Sequence, residues 1–194
     1  MSKNYVWFRI TTEGNAARFR GIENYEYYYK LYEAISLTDD YPADVQIRMN
    51  DDFPDSIGLY DVLSVLGGGN FVVSEKMKEF LENAGVNNVQ YFPISVLYHK
   101  GRKTAEKYVV VNILSMVDCI DRTKTSYKIS ALDEELMKKI SNLTIDESKI
   151  DPTLLLFRVK YIRHKIIVRR DFAEKLRDAG FKYFQLSEIE EIDS

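Results

Sequence analysis

One plan of sixteen residues occurs twice in this chain, as FVVSEKMKEFLENAGV at residues 71–86 and IIVRRDFAEKLRDAGF at residues 166–181. Each copy opens on three apolar residues, runs through a charged segment and stops at Ala-Gly. Phe71, Val72 and Val73 predict a short buried strand. Ser74 follows as a side chain able to accept from a free helical amide, and Met77, Phe80, Leu81 and Ala84 fall on one face of a helix. Gly85 stands where a left-handed residue ends such a helix, and Val89 to Ile94 returns as a strand. In the later copy Ile166 to Val168, the helix face of Phe172, Leu176 and Ala179, Gly180, and Tyr183 to Leu186 take the same places. Aligned at the glycines, the copies share Val73 with Val168, Glu79 with Glu174, Leu81 with Leu176 and Ala84 with Ala179. Core and cap positions repeat while surface positions do not. The fold expected from this is α+β: a mixed or antiparallel sheet covered by short helices, with a repeated strand-helix-strand unit. Two copies are too few for a solenoid.

The remaining elements follow from periodicity. Tyr5 to Thr11 and the alternating Val45 to Met49 read as strands of an N-terminal sheet. Tyr25 to Ile35 puts Tyr25, Tyr28, Tyr29 and Tyr32 on a helical stripe, although tyrosine also favours strands; a helix is the preferred reading. Ile57 to Leu66 predicts a short helix ended by Gly67, Gly68 and Gly69. That glycine run is not a phosphate loop, because no Lys-Ser/Thr follows it. Tyr108 to Val117 is the most apolar run and predicts a strand buried on both faces. Residues 1–44 are expected to form an N-terminal strand and helical segment packed on a main α+β domain of residues 45–194.

Several chemistries are excluded by what is missing. A single cysteine and two histidines leave no disulfide framework and no zinc cluster in the sequence, so neither a metal nor a cofactor is expected. No apolar stretch approaches the roughly 20 residues of a membrane helix, and the N-terminus has no long apolar core, which predicts a soluble protein of the cytoplasm. The segment MVDCIDRTKTS, residues 116–126, is similar to the loop of phosphoinositide phosphatases, in which a nucleophilic Cys precedes Arg-Thr by five intervening residues. Six positions before Arg122 stands Met116, whose thioether cannot ionise, and Cys119 is only three residues away. Asp118 and Asp121 could in principle serve as acid and base or hold a metal, but no His and no third acid lies nearby in sequence. They read better as turn formers at a strand exit.

Charge is distributed unevenly. Residues 1–60 carry six Lys/Arg against ten Asp/Glu, although the whole chain has a net charge of only −3. Asp39, Asp40, Asp44, Asp51, Asp52 and Asp55 crowd into a segment punctuated by Pro42 and Pro54, a loop-rich acidic surface that would attract a basic partner. Tyr41 and Phe53 are its candidate aromatic anchors. Arg158, Lys160, Arg163, His164, Lys165, Arg169 and Arg170 form the opposite case, a run of cations without an acid and with aromatics interleaved. It raises a nucleic-acid-binding module as an alternative, against which the overall charge argues.

The succession FPDSIGLYDVL, GGGNFVVSEKMKEFLENAG, VQYFPI, YVVVNILSMVDCID and LLFRVKYIRHKIIVRRDFAEKLRDAGF resembles an immunity-protein family of bacterial polymorphic toxin systems (the Imm-eleven family, formerly a domain of unknown function). Its most specific parts are Val72 to Glu75, with Ser74 and Glu75, and the stretch from Asn112 to Asp121; the characteristic Asp falls at Asp118 or Asp121. The resemblance implies a non-catalytic α+β protein that binds and neutralises a cognate toxin domain, a nuclease being one candidate. On that reading Asp39, Asp40, Tyr41, Asp51, Asp52, Phe53 and Asp55 are the toxin-binding candidates, and the motif residues are structural. A carboxylate enzyme using Asp118 and Asp121 is the weaker alternative.

Overall fold

The computed structural model describes residues 2–65 and 71–192. In chain order the strands are β1 (Tyr5–Ile10), β2 (Arg18–Phe19), β3 (Gln46–Arg48), β4 (Val62–Val65), β5 (Val72–Ser74), β6 (Val89–Leu97), β7 (Tyr108–Ile113), β8 (Met116–Val117), β9 (Ser126–Ile129), β10 (Met137–Ser141), β11 (Leu156–Val159), β12 (Ile166–Arg169) and β13 (Phe184–Ser187). Two α-helices of nine residues each, α1 (Glu75–Asn83) and α2 (Arg170–Asp178), complete an α+β protein that is mostly sheet. Among the described residues no helix is long and apolar enough to cross a membrane.

The chain divides into two compact units, Ile10–Leu114 with Phe181–Phe184, and Met1–Arg9 with Ser115–Gly180 and Gln185–Ser194. The first holds a six-stranded mixed sheet ordered β2-β4-β5-β7-β6-β3. All six residues of β7 are buried, five of them apolar and the sixth the amide of Asn112, and β5 and β6 pair antiparallel along its two edges. The single strand expected over Tyr108 to Val117 is not formed: it ends at Ile113, and Met116–Val117 is the separate β8, paired with β11 in another sheet. Met77 and Leu81 of α1 are fully buried, while Phe19, Leu31, Leu37, Ile47 and Val110 belong to the cluster that fills this unit. Each such side chain withdrawn from water contributes roughly 1.5–3 kcal/mol.

The second unit is built on a mixed sheet ordered β13-β1-β12-β11-β8, with the separate hairpin β9-β10. Here β1 pairs antiparallel with β12, Tyr5 opposite Arg169 and Phe8 opposite Ile166. The N-terminal sheet expected from joining the first strand to Val45–Met49 is therefore not formed: β3 pairs in parallel with β6 in the other unit. Phe172, Ala173 and Leu176 of α2 are buried, and Trp7, Ile120, Phe157 and Ile167 lie in the core cluster.

Two helix expectations need correction. The segment Ile57 to Leu66 contains β4, whose Val62 and Leu63 pair with Val73 and Val72; the β-branched and apolar residues of VLSV find an extended partner there. Leu66 and the glycines 67–69 lie outside the described residues. Tyr25 to Ile35 supplies only a 3-10 turn, Tyr28–Tyr32, bracketed by positive φ at Asn24 and Ala34. Its one buried residue, Leu31, gives too thin an apolar stripe to hold a longer α-helix.

Candidate interaction face

Within the first unit the acidic segment is held by short turns. The amides of Asp40 and Tyr41 both donate to the carbonyl of Leu37, a fully buried residue, so Asp39 and Asp40 are lifted into solvent. Beyond β3, Asp51, Asp52, Phe53 and Asp55 lie on exposed loop. Asp52 is positioned by its own amide, which donates to Asn50 Oδ1 at 3.1 Å. The chain's own cations already neutralise part of this charge: Lys30 Nζ is 2.7 Å from Asp40, and Arg20 is 2.9 Å from Asp51. Asp39, Asp52 and Asp55 carry no ion pair among the described residues.

The two aromatic candidates part company. Tyr41 turns inward, stacked on Phe92 at 4.5 Å and edge-on to Tyr25 at 5.3 Å, and its hydroxyl is buried without a hydrogen-bond partner. Burial pushes that phenol above its usual titration range. Tyr41 is thus partly buried against the core of its unit rather than fully exposed as expected, because Tyr25 and Phe92 offer its ring aromatic contact. Phe53 is exposed, but the Arg18 guanidinium lies over its ring at 4.3 Å.

What local reading missed is the row of three consecutive tyrosines. Tyr27, Tyr28 and Tyr29 are 51%, 39% and 49% exposed, and Ile35 nearby is 41% exposed. A signal was present, since three successive side chains sweep well over half of a helical circumference and cannot all face one core. These residues sit above a buried clamp. Asn112 of β7, wholly buried, donates its Nδ2 to the Ile35 carbonyl at 2.8 Å and to Gln90 Oε1 at 3.0 Å. Gln90 Oε1 also accepts from the Leu37 amide, while its Nε2 donates to Ser36 Oγ and Thr38 Oγ1, each at 2.8 Å.

The other motif residues are engaged in local structure. Ser74 caps α1, its Oγ accepting from the Met77 amide at 3.2 Å and donating to Asp61 at 3.1 Å. Glu75 pairs with Lys78 at 2.7 Å in the first helical turn. In the second unit Asp121 accepts from Thr123 Oγ1 at 2.6 Å and the Thr123 amide at 3.0 Å, with Lys124 Nζ at 2.9 Å; the Thr123 hydroxyl and then Lys124 hold its carboxyl at about 2. Asp118 is exposed and accepts from Tyr161 at 3.1 Å, with Arg122 at 3.4 Å. Both line a depression of about 330 Å³ together with Asp146 and Lys149. Among the described residues no group of three His, Cys, Asp or Glu is placed to hold a metal ion. Cys119 is buried, and desolvation pushes its thiol up to about 12, far from the thiolate a nucleophile requires.

The cationic run is not an open basic surface. Arg158 is fully buried with its Nη1 donating to the Arg163 carbonyl at 2.8 Å, and Lys165 is buried with Nζ 4.0 Å over the Trp7 ring. Arg163 pairs with Glu135, Arg169 grips Asp171 through two bonds, and Arg170 does the same with Glu188. Of these partners Asp171 directly follows the run, whereas Glu135, Glu188 and Trp7 arrive from distant parts of the chain and left no mark in the local sequence.

A family model described as the Immunity protein family (Imm11) matches residues 14–191 of the 194. No curated protein matches the chain.

Proposed function

Since the chain belongs to the Imm11 immunity protein family, we propose that it neutralises a cognate toxin domain by stoichiometric binding without turnover, in the cytoplasm of the cell that makes the toxin. The observation that carries this reading is the reach of the family match: it spans nearly the whole chain and includes the acidic segment as well as the scaffold. A toxin-producing cell tolerates very little free toxin, which calls for a dissociation constant near or below about 1 nM, roughly −12 kcal/mol. Asp39, Asp52 and Asp55, exposed and without ion pairs, supply a field that draws in a basic domain such as a nuclease and speeds its association. Asp40 and Asp51, each tied to a cation of the same chain, contribute less.

Association kinetics with the toxin domain encoded beside this chain test the proposal. Replacing Asp39, Asp52 and Asp55 with Asn should slow association about tenfold at low ionic strength and flatten its salt dependence, while leaving stability within roughly 0.5 kcal/mol. Unchanged association at both ionic strengths would place the steering charge elsewhere. Absence of any binding by the native protein would remove the functional reading itself.

The scaffold invites a companion reading, that β5-α1-β6 and β12-α2-β13 are copies of one duplicated unit. In its support, both helices span nine residues, each is followed by a glycine of positive φ, and one strand separates the two strands of each stretch in its sheet.

A further inference from the structure

Large apolar side chains left in water are unevenly spread in this protein. Of the eight that are exposed among the described residues, four (Tyr27, Tyr28, Tyr29 and Ile35) fall within nine consecutive positions of the first unit. We propose that these four form the apolar anchor of the toxin contact, and that they seat in a groove of the toxin domain lined by Lys and Arg. The proposal rests on the immunity reading above and assigns its contact residues.

Charge selects the occupant. Residues 23–44 contain Glu23, Glu26, Glu33, Asp39, Asp40 and Asp44 against the single Lys30, which is spent on Asp40, and Arg48 meets only Glu23, at 3.8 Å. Such a face repels nucleic acid, anionic lipid and a second copy of itself, and attracts a cationic protein surface. Tyrosine rings suit that surface, because an ammonium or guanidinium over the ring is attracted by its quadrupole. The chain's own Lys30 already does this, 5.4 Å from the centroid of Tyr27. Beside the row lies a depression of about 490 Å³ lined by Ile22, Asn24, Tyr25, Glu26 and Tyr28, with room for a long side chain and a carboxylate to meet its charge.

Rigidity is the second argument. Tyrosine presents a large contact area with few rotatable bonds, so its ordering cost on binding is small. The backbone beneath is fixed as well: Asn112 and Gln90, bonded to each other, fasten residues 35–38 through four further hydrogen bonds, and Leu31 and Leu37 plug the segment into the core. Anchors held this way lose little freedom when a partner arrives. The burial of Asn112, a costly place for an amide, then serves the contact face from below without touching the partner. Leu132, the most exposed apolar side chain at 92%, stands apart in the second unit on the loop between β9 and β10 and makes a natural control.

The test uses the full chain and the toxin domain encoded beside it. Titration calorimetry should show Tyr27→Ser/Tyr28→Ser/Tyr29→Ser weakening binding by about 100-fold or more, with faster dissociation and an unchanged melting temperature. The matching triple Phe variant, which keeps the rings, should stay within about fivefold of the native protein, and Leu132→Ser should match it. Hydrogen exchange of the native complex should show new protection over residues 22–41. A triple Ser variant that binds within about threefold of native, or protection confined to residues 126–141, overturns the anchor assignment while leaving the immunity reading intact. Failure of the native chain to bind or inhibit that domain overturns both.

Discussion

The two stretches that read alike in sequence close one end of the helix with the same left-handed glycine and meet the other end differently. At the C-terminus each helix reaches an alanine and then a glycine with φ of +83° at Gly85 and +74° at Gly180. Gly85 donates to Glu82 and Val86 to Leu81, both at 3.0 Å, so two carbonyls that the helix leaves open are satisfied; Gly180 donates to Arg177 at 3.0 Å in the corresponding way. At the N-terminus α1 has Ser74, whose hydroxyl caps the Met77 amide, while α2 has Arg169, which cannot accept. There Asp171 supplies the negative charge, gripped by Arg169 at 2.6 and 2.9 Å, and Lys175 and Arg177 complement the dipole in the last turn. The lesson is that a chain reversal needing left-handed backbone admits few residues, whereas orphan amides and a positive helix end can be met by a hydroxyl or a carboxylate.

The strongest way to break the comparison is at its shared centre. Leu81 and Leu176 are 0% and 1% exposed, each on the buried face of its helix. Leu81→Ala and Leu176→Ala should each destabilise by about 2–5 kcal/mol, measured as a shift in denaturant midpoint. A loss under about 1 kcal/mol in either would mean that this helix is not seated as its counterpart is.

How much of this was legible locally depends on where the partner of each residue lies. The two helices and the buried strand β7 were readable, because periodicity and capping are written within ten residues. Strand β4 was not: DVLSV fits helix or strand equally, and Val72 and Val73 across the ladder decide it. The pairing of β1 with β12 brings Tyr5 opposite Arg169, a separation that no local window covers. On the candidate face, composition anticipates the exposure of the acidic loop residues, but Tyr41 is partly buried rather than exposed. Its burial depends on Tyr25 and Phe92, and the exposure of Tyr27 to Tyr29 follows from a turn that was read as a longer helix. Arg158 shows the same limit in the core, since it sits on a strand paired on both sides.

A smaller perturbation sharpens the difference at the N-termini. Ser74→Ala removes the acceptor of the Met77 amide and should cost about 1 kcal/mol. Arg169→Ala removes no cap and leaves Asp171 in the first turn, so its loss should be about 0.5 kcal/mol, as for a half-exposed ion pair. Equal costs, read from chemical denaturation of the two variants, would erase the distinction between the two devices.

The smallest effect is also the most diagnostic, because only one of the two devices titrates. Arg169 lowers the pKa of Asp171 in the folded protein, whereas the Ser74 hydroxyl carries no charge at any ordinary pH. A carboxyl with a depressed folded pKa binds its proton more readily when unfolded, so its contribution is fully present above the unfolded value of about 4 and is lost as pH falls through the folded value. With the Asp171 side chain 55% exposed, solvent screening holds that contribution to a few tenths of a kcal/mol. Asp171→Asn should therefore destabilise by that small amount at pH 7, and the difference should fade below about pH 4. The cost of Ser74→Ala should stay constant over the same range. Denaturant midpoints of the two variants and the native chain at pH 7 and pH 3 decide it: a Ser74→Ala cost that fell with pH, or an Asp171→Asn cost that did not, would show that the helix ends are not held by the hydroxyl and the ion pair respectively.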